Sequence, residues 1–441
     1  MAFSTVVSAA IDGLTVEAVQ VEVDIHNGLP TLRIIGYLSS EVKEAADRVR
    51  TAIRNLDISL PPQKIIVNPA PATVHKRGAS FDLPIAAALL AALGEVPAEA
   101  LTGVFLVGEL SLDARVKPVH GILPLVAKAK EMGCTSCILP KENAREGALI
   151  DGIEIFGVEH LKEVQAYLNG EVSLSPQRRD AFLPSVDSEV EDARNKDTVD
   201  FGEIYGQEAL KRAAEVAVSG GHNLLMIGPP GSGKTMVARA LPTILPPLTY
   251  AESLEVTKIY SVAGLLNPAH PLVRERPFRS VHHAATRAAL IGGGSIPRPG
   301  EISLAHQGVL FLDELPEFDR SVLEALRQPL EDQAVTIARS QGRYIFPADF
   351  MLTAAMNPCP CGYYPDLTKC TCTPSQIHQY RGLGEPAFPG PDGYLHRSAT
   401  VKIRSVKRKG TPGGFCADPD AGHEGKGSAA GALCRIQESE V

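Results

Sequence analysis

Apolar and polar positions change period along the chain, and the changes mark its elements. Residues 16–25 and 31–35 have strand character. Residues 41–56 repeat at helical spacing instead, with Val42, Ala45, Ala46, Val49, Ala52, Ile53 and Leu56 on one side. Residues 64–67 read as a short strand ended by Asn68-Pro69, 82–93 as an Ala/Leu-rich helix, 104–107 as a strand and 124–132 as a helix. Mixed order and short connections predict a sheet covered by helices, an α/β domain over residues 1–170. Between 171 and 200 the chain turns polar and acidic and loses its period, as a linker does. A second α/β domain is expected over 201–381, with strands in the apolar runs 223–227, 309–312 and 350–356 and a helix from Met236. Residues 382–441 are rich in Gly and Pro without a helical period, which predicts a disordered tail.

The second domain carries the most specific chemistry. Directly behind the apolar run 223–227 stand Gly228, Pro229, Pro230, Gly231, Ser232, Gly233, Lys234 and Thr235, a complete phosphate-binding loop between a strand and a helix. Its glycines let several N–H groups turn inward around a polyphosphate, and the helix N-terminus adds partial positive charge. Lys234 is placed to reach the β- and γ-phosphates of ATP, and Thr235 to hold Mg²⁺. Four apolar residues then lead into Asp313 and Glu314. An acid pair at a strand end, behind such a loop, suits a Mg²⁺ ligand (Asp313) and a group that polarises the attacking water (Glu314). The run 350–356 ends in Asn357, either a holder of that water or of the γ-phosphate, or a turn former before Pro358.

Composition narrows the setting. Net charge is −8 and pI about 5.9, so bulk charge lends nothing to a nucleic-acid role, although a local basic patch is compatible with it. Trp is absent and aromatics make up 5%, which argues against a surface of stacking rings. The N-terminus lacks a basic start and meets Asp12 early, unlike a signal peptide, and the apolar stretch 83–93 is too short to cross a bilayer. Eight cysteines without a secretion signal point to reduced thiols and a cytoplasmic protein.

Longer runs carry a family resemblance. ALIGGGSIPRPGEISLAHQGVLFLDELPEF (289–318), RQPLEDQAVTIAR (327–339) and MNPCPCGYYPD (356–366) resemble the ComM/YifB family. These are AAA+ ATPases similar to the magnesium-chelatase ATPase subunit. The resemblance implies an N-terminal α/β domain like that of Lon protease (ribosomal S5 domain 2-like), then a phosphate-loop AAA+ domain with a parallel sheet. It further implies a homo-hexameric ring, and DNA remodelling by branch migration in recombination and natural transformation. Lys234, Thr235, Asp313, Glu314 and Asn357 then take the roles argued above. The family usually reads S-P-H-H-T where this chain has Ser280-Val281-His282-His283-Ala284. The alternatives are a chelatase-type ATPase driving metal insertion into a tetrapyrrole, which the Lon-like domain speaks against, and a non-catalytic nucleotide-binding protein.

Three constellations have both a chemical and a plain reading. Ser80 sits in a Lon-like serine region, but the matching lysine would fall near Leu123, and Lys117 and Lys128 lie on other turns, so proteolysis is not expected. Cys359, Cys361, Cys370 and Cys372 form two Cys-x-Cys pairs, either a tetrahedral Zn²⁺ site or reduced loop thiols. Arg274, Arg276, Arg279, Arg287 and Arg298, with His282 and His283, make a cationic insert suited to phosphate backbones or to salt bridges.

After Gln379-Tyr380-Arg381 the family continues into a G-P-L-L-D-R-I-D-like stretch that supplies an arginine to the neighbouring subunit's ATP, then a helical lid. Here GLGEPAFPGPDGYLHRSA follows instead. A reading-frame slip near Gly382 is the expected cause, and loss of the arginine finger and lid predicts impaired hydrolysis.

Overall fold

The computed structural model describes residues 2–179, 199–294, 297–339 and 342–382 and the backbone of Gly393–Arg397. The first sheet contains β1 (Ala2–Asp12), β2 (Thr15–His26), β3 (Thr31–Ile34), β4 (Lys64–Ala70), β5 (Val104–Leu106), β6 (Ser136–Pro140) and β7 (Glu154–Val158). Their order is β3-β4-β2-β1-β5-β6-β7. The pairs β1/β2 and β2/β4 are antiparallel and the others parallel. Strand β1 escaped the sequence reading, because Ser4 and Ser8 interrupt its apolar pattern. Both serines are buried, and Ser4 Oγ donates to the Ala88 carbonyl at 2.5 Å. Alternation sends Val6 and Ala10 into one core and Ala9 into the other.

Helices α1 (Ser40–Arg54) and α2 (Asp82–Leu93) belong to the first core, and α3 (Ile122–Glu131) lies on the opposite face. The α1 stripe is as expected, with Val42, Ala45, Val49, Ala52 and Ile53 buried. Strand β4 runs on to Ala70 instead of ending at Asn68-Pro69. Beyond Val67 its outer neighbour β3 has stopped and β2 alone pairs it, a position that tolerates a residue without N–H. Of the predicted linker, residues 171–179 lie along this unit, with Gln177 N–H on the Ile155 carbonyl at 2.7 Å and Arg179 on Asp151 at 2.6 Å. The remainder to residue 198 lies outside the described residues.

The second sheet is all parallel. It contains β8 (Asn223–Ile227), β9 (Phe278–Val281), β10 (Val309–Leu312), β13 (Met351–Met356) and β14 (Gly393–Arg397), in the order β9-β10-β13-β8-β14. The hairpin β11 (Ala334–Arg339) and β12 (Gly342–Pro347) projects between β10 and β13 in the chain. Helix α4 (Lys234–Ala240) leaves the phosphate loop, α5 (Tyr250–Ala263) packs toward α3, and α6 (Pro374–Gly382) follows β13. Strand β14 falls inside the predicted disordered tail, where its five residues pair with β8. The rest of 383–441 lies outside the described residues.

Candidate nucleotide site

Parallel pairing brings three chain segments to one end of the second sheet. Ile227 is opposite Met356 and Leu312 is opposite Ala354. The phosphate loop, the acid pair and Asn357 therefore emerge together at the carboxyl ends of β8, β10 and β13, where such sheets hold their ligands. Within the loop Gly231 and Gly233 take φ of +74° and +84°, open to glycine at little cost. The buried Lys234 turns back on the loop, its Nζ donating to the carbonyls of Gly228 at 2.7 Å and Pro229 at 3.0 Å. Burial holds its ammonium pKa below the usual lysine value, against the pull of the Asp313 charge.

Thr235 Oγ1 donates to Asp313 Oδ2 at 2.9 Å across 78 residues of sequence. A hydroxyl and a carboxylate side by side are hard oxygen donors, the chemistry that Mg²⁺ selects. Asn357 follows the rung at which Gly228 N–H donates to the Met356 carbonyl, at 3.2 Å. Sequence reasoning missed Gln207, whose Nε2 donates to the Ser232 carbonyl at 3.1 Å and props the loop from behind.

Glu314 has φ +53°, unusual for a residue with a side chain. Its carboxylate lies 3.3 Å from His283 Nδ1, and the His283 ring lies tilted against that of His282 with centroids 4.0 Å apart. The cationic insert is thus divided. Arg279 makes a two-pronged pair with Glu301 at 2.6 and 2.9 Å. Arg276 holds the carbonyls of Pro246 at 2.5 Å and Gln307 at 2.7 Å. These two brace the fold, whereas Arg274, Arg287 and Arg298 are exposed.

The four loop cysteines converge, with all Sγ atoms within 4.8 Å of one another, a cluster that can hold a metal ion. The Tyr363 amide, above other causes, pulls the Cys361 thiol down to about 6. In the first domain Leu123, at the expected lysine position, is buried, and Lys128 is paired with Glu131 at 3.2 Å. Among the described residues no helix is long and apolar enough to cross a membrane.

This sheet order, loop and acid pair define the AAA+ class of phosphate-loop ATPases. The family described as "Magnesium chelatase, subunit ChlI" matches residues 200–387, and that described as "Subunit ChlI of Mg-chelatase" matches 21–143. The chain is 43% identical to YifB of Salmonella typhimurium over 381 residues, covering 86% of this chain and 72% of the relative. It is 42% identical to "Competence protein ComM" of Haemophilus influenzae over 380 residues, covering 86% and 73%. Lon protease 2 of Bacillus subtilis is 32% identical over 127 residues, 28% of this chain and 22% of that protein, a likeness of the N-terminal region. The chain belongs to the ComM/YifB family of magnesium-chelatase-like proteins.

Proposed function

We propose that this protein binds Mg·ATP in the loop after β8 and that its family's hydrolysis cycle drives DNA remodelling by branch migration. The observation that carries the nucleotide reading is the contact between Thr235 and Asp313, which joins the loop to the acid pair at 2.9 Å. In this reading the backbone from Gly228 to Gly233 cradles the phosphates, and Lys234 exchanges its two carbonyl partners for phosphate oxygens. Thr235 and Asp313 hold Mg²⁺, which offsets phosphate charge when bound. Glu314 orients water, and Asn357 holds that water or the γ-phosphate. The cysteine cluster is a structural Zn²⁺ site.

Support for DNA comes from arginines beyond the insert. Arg339 and Arg343 on the β11–β12 hairpin are exposed, like Arg287 and Arg298. A β-carbon at Gly293, beside Arg298 in the Gly292–Gly293/Arg298–Pro299 ribbon, would stand 3.2 Å from Arg339 Nη2. Two hairpins thus present cations side by side, as a phosphate backbone requires. The name of the Haemophilus relative agrees with this reading. A homo-hexameric ring would set these hairpins around a common axis.

Residues 382–398 do not read as the family's arginine-finger stretch, and a positioned arginine is worth about 10³-fold or more in rate. This chain should therefore bind Mg·ATP and turn it over slowly. The test is fluorescent-nucleotide titration beside a turnover assay with and without branched DNA, on the parent and on Lys234→Ala. Nucleotide binding lost in Lys234→Ala, and DNA binding whose salt slope falls by about one with each of Arg298→Ala and Arg339→Ala, are expected. Equal nucleotide binding by parent and Lys234→Ala would end the proposal. ATPase indifferent to DNA in a relative with a complete domain would favour the chelatase-type alternative.

A further inference from the structure

The loop that follows Asn357 has no hydrophobic core of its own. Leu367 is 79% exposed and Tyr363 is 50% exposed. Turns around Asp366 bring its four cysteines together. Cys359 Sγ lies 3.3 Å from Cys361 Sγ and 3.8 Å from Cys370 Sγ, and Cys361 and Cys370 are 3.5 Å apart. These separations are too long for a disulfide bond. They are close to the roughly 3.8 Å edge of a tetrahedron of thiolates around Zn²⁺, whose Zn–S bonds are about 2.3 Å. The Tyr364 amide donates to Cys359 Sγ at 3.4 Å, the kind of outer contact that orients a thiolate ligand.

The same loop is wedged against the nucleotide site. Gly362, at φ +81° between Cys361 and Tyr363, packs so closely on the phosphate loop that a β-carbon there would stand 2.9 Å from Pro230 Cδ. On the other side Arg381 Nε donates to the Pro358 carbonyl at 3.1 Å and its guanidinium covers the Tyr364 ring at 4.9 Å. Cys359 is fully buried, two residues from Asn357.

We infer that Zn²⁺ held by Cys359, Cys361, Cys370 and Cys372 clamps the phosphate loop through Gly362 and Pro230, so that nucleotide affinity depends on the metal. On binding, the ligating thiols release their protons to solvent. Removing the metal frees a coreless loop, takes the wall away from Pro230 and loosens the strand end that carries Asn357. The inference rests on the nucleotide reading of the loop, and zinc binding itself can be measured without nucleotide.

The full chain, purified under reducing conditions, should carry one zinc by elemental analysis. Cobalt substitution should give thiolate-to-metal charge-transfer absorption, absent in the Cys370→Ser/Cys372→Ser double variant. Stripping zinc from the parent with a mercurial and a chelator, followed by excess thiol, should weaken fluorescent-ATP binding about tenfold, and added Zn²⁺ should restore it. Gly362→Ala keeps all four ligands but presses on Pro230, so it should retain zinc and still lose affinity. A chain without zinc or cobalt binding overturns the inference, as does a zinc-bound chain whose ATP affinity is the same after stripping. Zinc bound in full with no ATP binding in any form would instead overturn the nucleotide reading, and the clamp with it.

Discussion

The carboxylate beside Asp313 lies against one imidazole. From sequence His283 belonged to a cationic insert, one of several groups suited to phosphate backbones. In the fold it is half-buried, 3.3 Å from Glu314 and edge-on to Phe318 with centroids 6.5 Å apart. A left-handed Glu314 costs backbone energy, and the imidazole lies within ion-pair distance of its carboxylate. His283→Ala should lower kcat for ATP about tenfold while KM stays within about twofold, because in the proposed reading the lost group positions Glu314, which orients water, and itself contacts no nucleotide. His282→Ala, which leaves the pair intact, is the comparison. Steady-state kinetics showing a raised KM at constant kcat would sink the positioning role. The phosphate loop was readable from eight consecutive residues; the His283–Glu314 pair was not, since nothing in a histidine's sequence neighbourhood says which acid it will meet.

Elements show the same division. Helix α1 was legible because one face is wet, and its apolar stripe survives in the burial pattern. Helix α2 was found from its Ala/Leu content, although ten of its twelve residues are buried and no stripe exists. Asp82 at its start is buried whole and is held by Arg48 at 2.7 and 2.9 Å and by the Leu110 amide at 3.2 Å, partners that sequence does not offer. Strand β9 was overlooked because four residues give no period. It exists because β10 pairs it, and the pairing leaves no room at the residue preceding β10. A β-carbon on Gly308 would stand 2.1 Å from the Pro277 carbonyl oxygen. Gly308→Ala should therefore part β9 from β10 and cost about 1–3 kcal/mol or more, measured by denaturant unfolding. An unchanged midpoint would show that the backbone yields freely there.

At the scale of the molecule, the two units meet through a buried acid. Glu146 Oε1 accepts from the Leu123 amide at 2.8 Å and from Ser261 Oγ of α5 at 2.5 Å, while Gly121 N–H donates to the Ser261 carbonyl at 3.1 Å. Nearby, Tyr250 Oη donates to the Leu149 carbonyl at 2.7 Å. Burial raises the Glu146 pKa, against the lowering effect of its hydrogen bonds. The folded protein thus keeps this proton where the unfolded chain has released it. The stability this supplies is complete below the ordinary glutamate range and is lost as pH rises through the raised value. Glu146→Gln keeps an oxygen acceptor and removes the titration. Its melting temperature should fall less than the parent's between about pH 5 and pH 8, as followed by thermal scans. Parallel curves for the two proteins would mean that Glu146 is ionised in the folded state.

The sequence by itself determined what contiguous residues can build. A phosphate cradle is made of successive backbone amides, the acid pair is two neighbours at a strand end, and the cysteine pairs are each one residue apart. Two stretches of regular period on either side of a polar one were likewise visible. Only the tertiary structure decided which of these parts work together. Thr235 reaches Asp313, and Gly362 reaches Pro230, through the register of β8, β10 and β13. That register depends on side-chain packing and on ladder bonds between strands far apart in the chain, which no local pattern encodes.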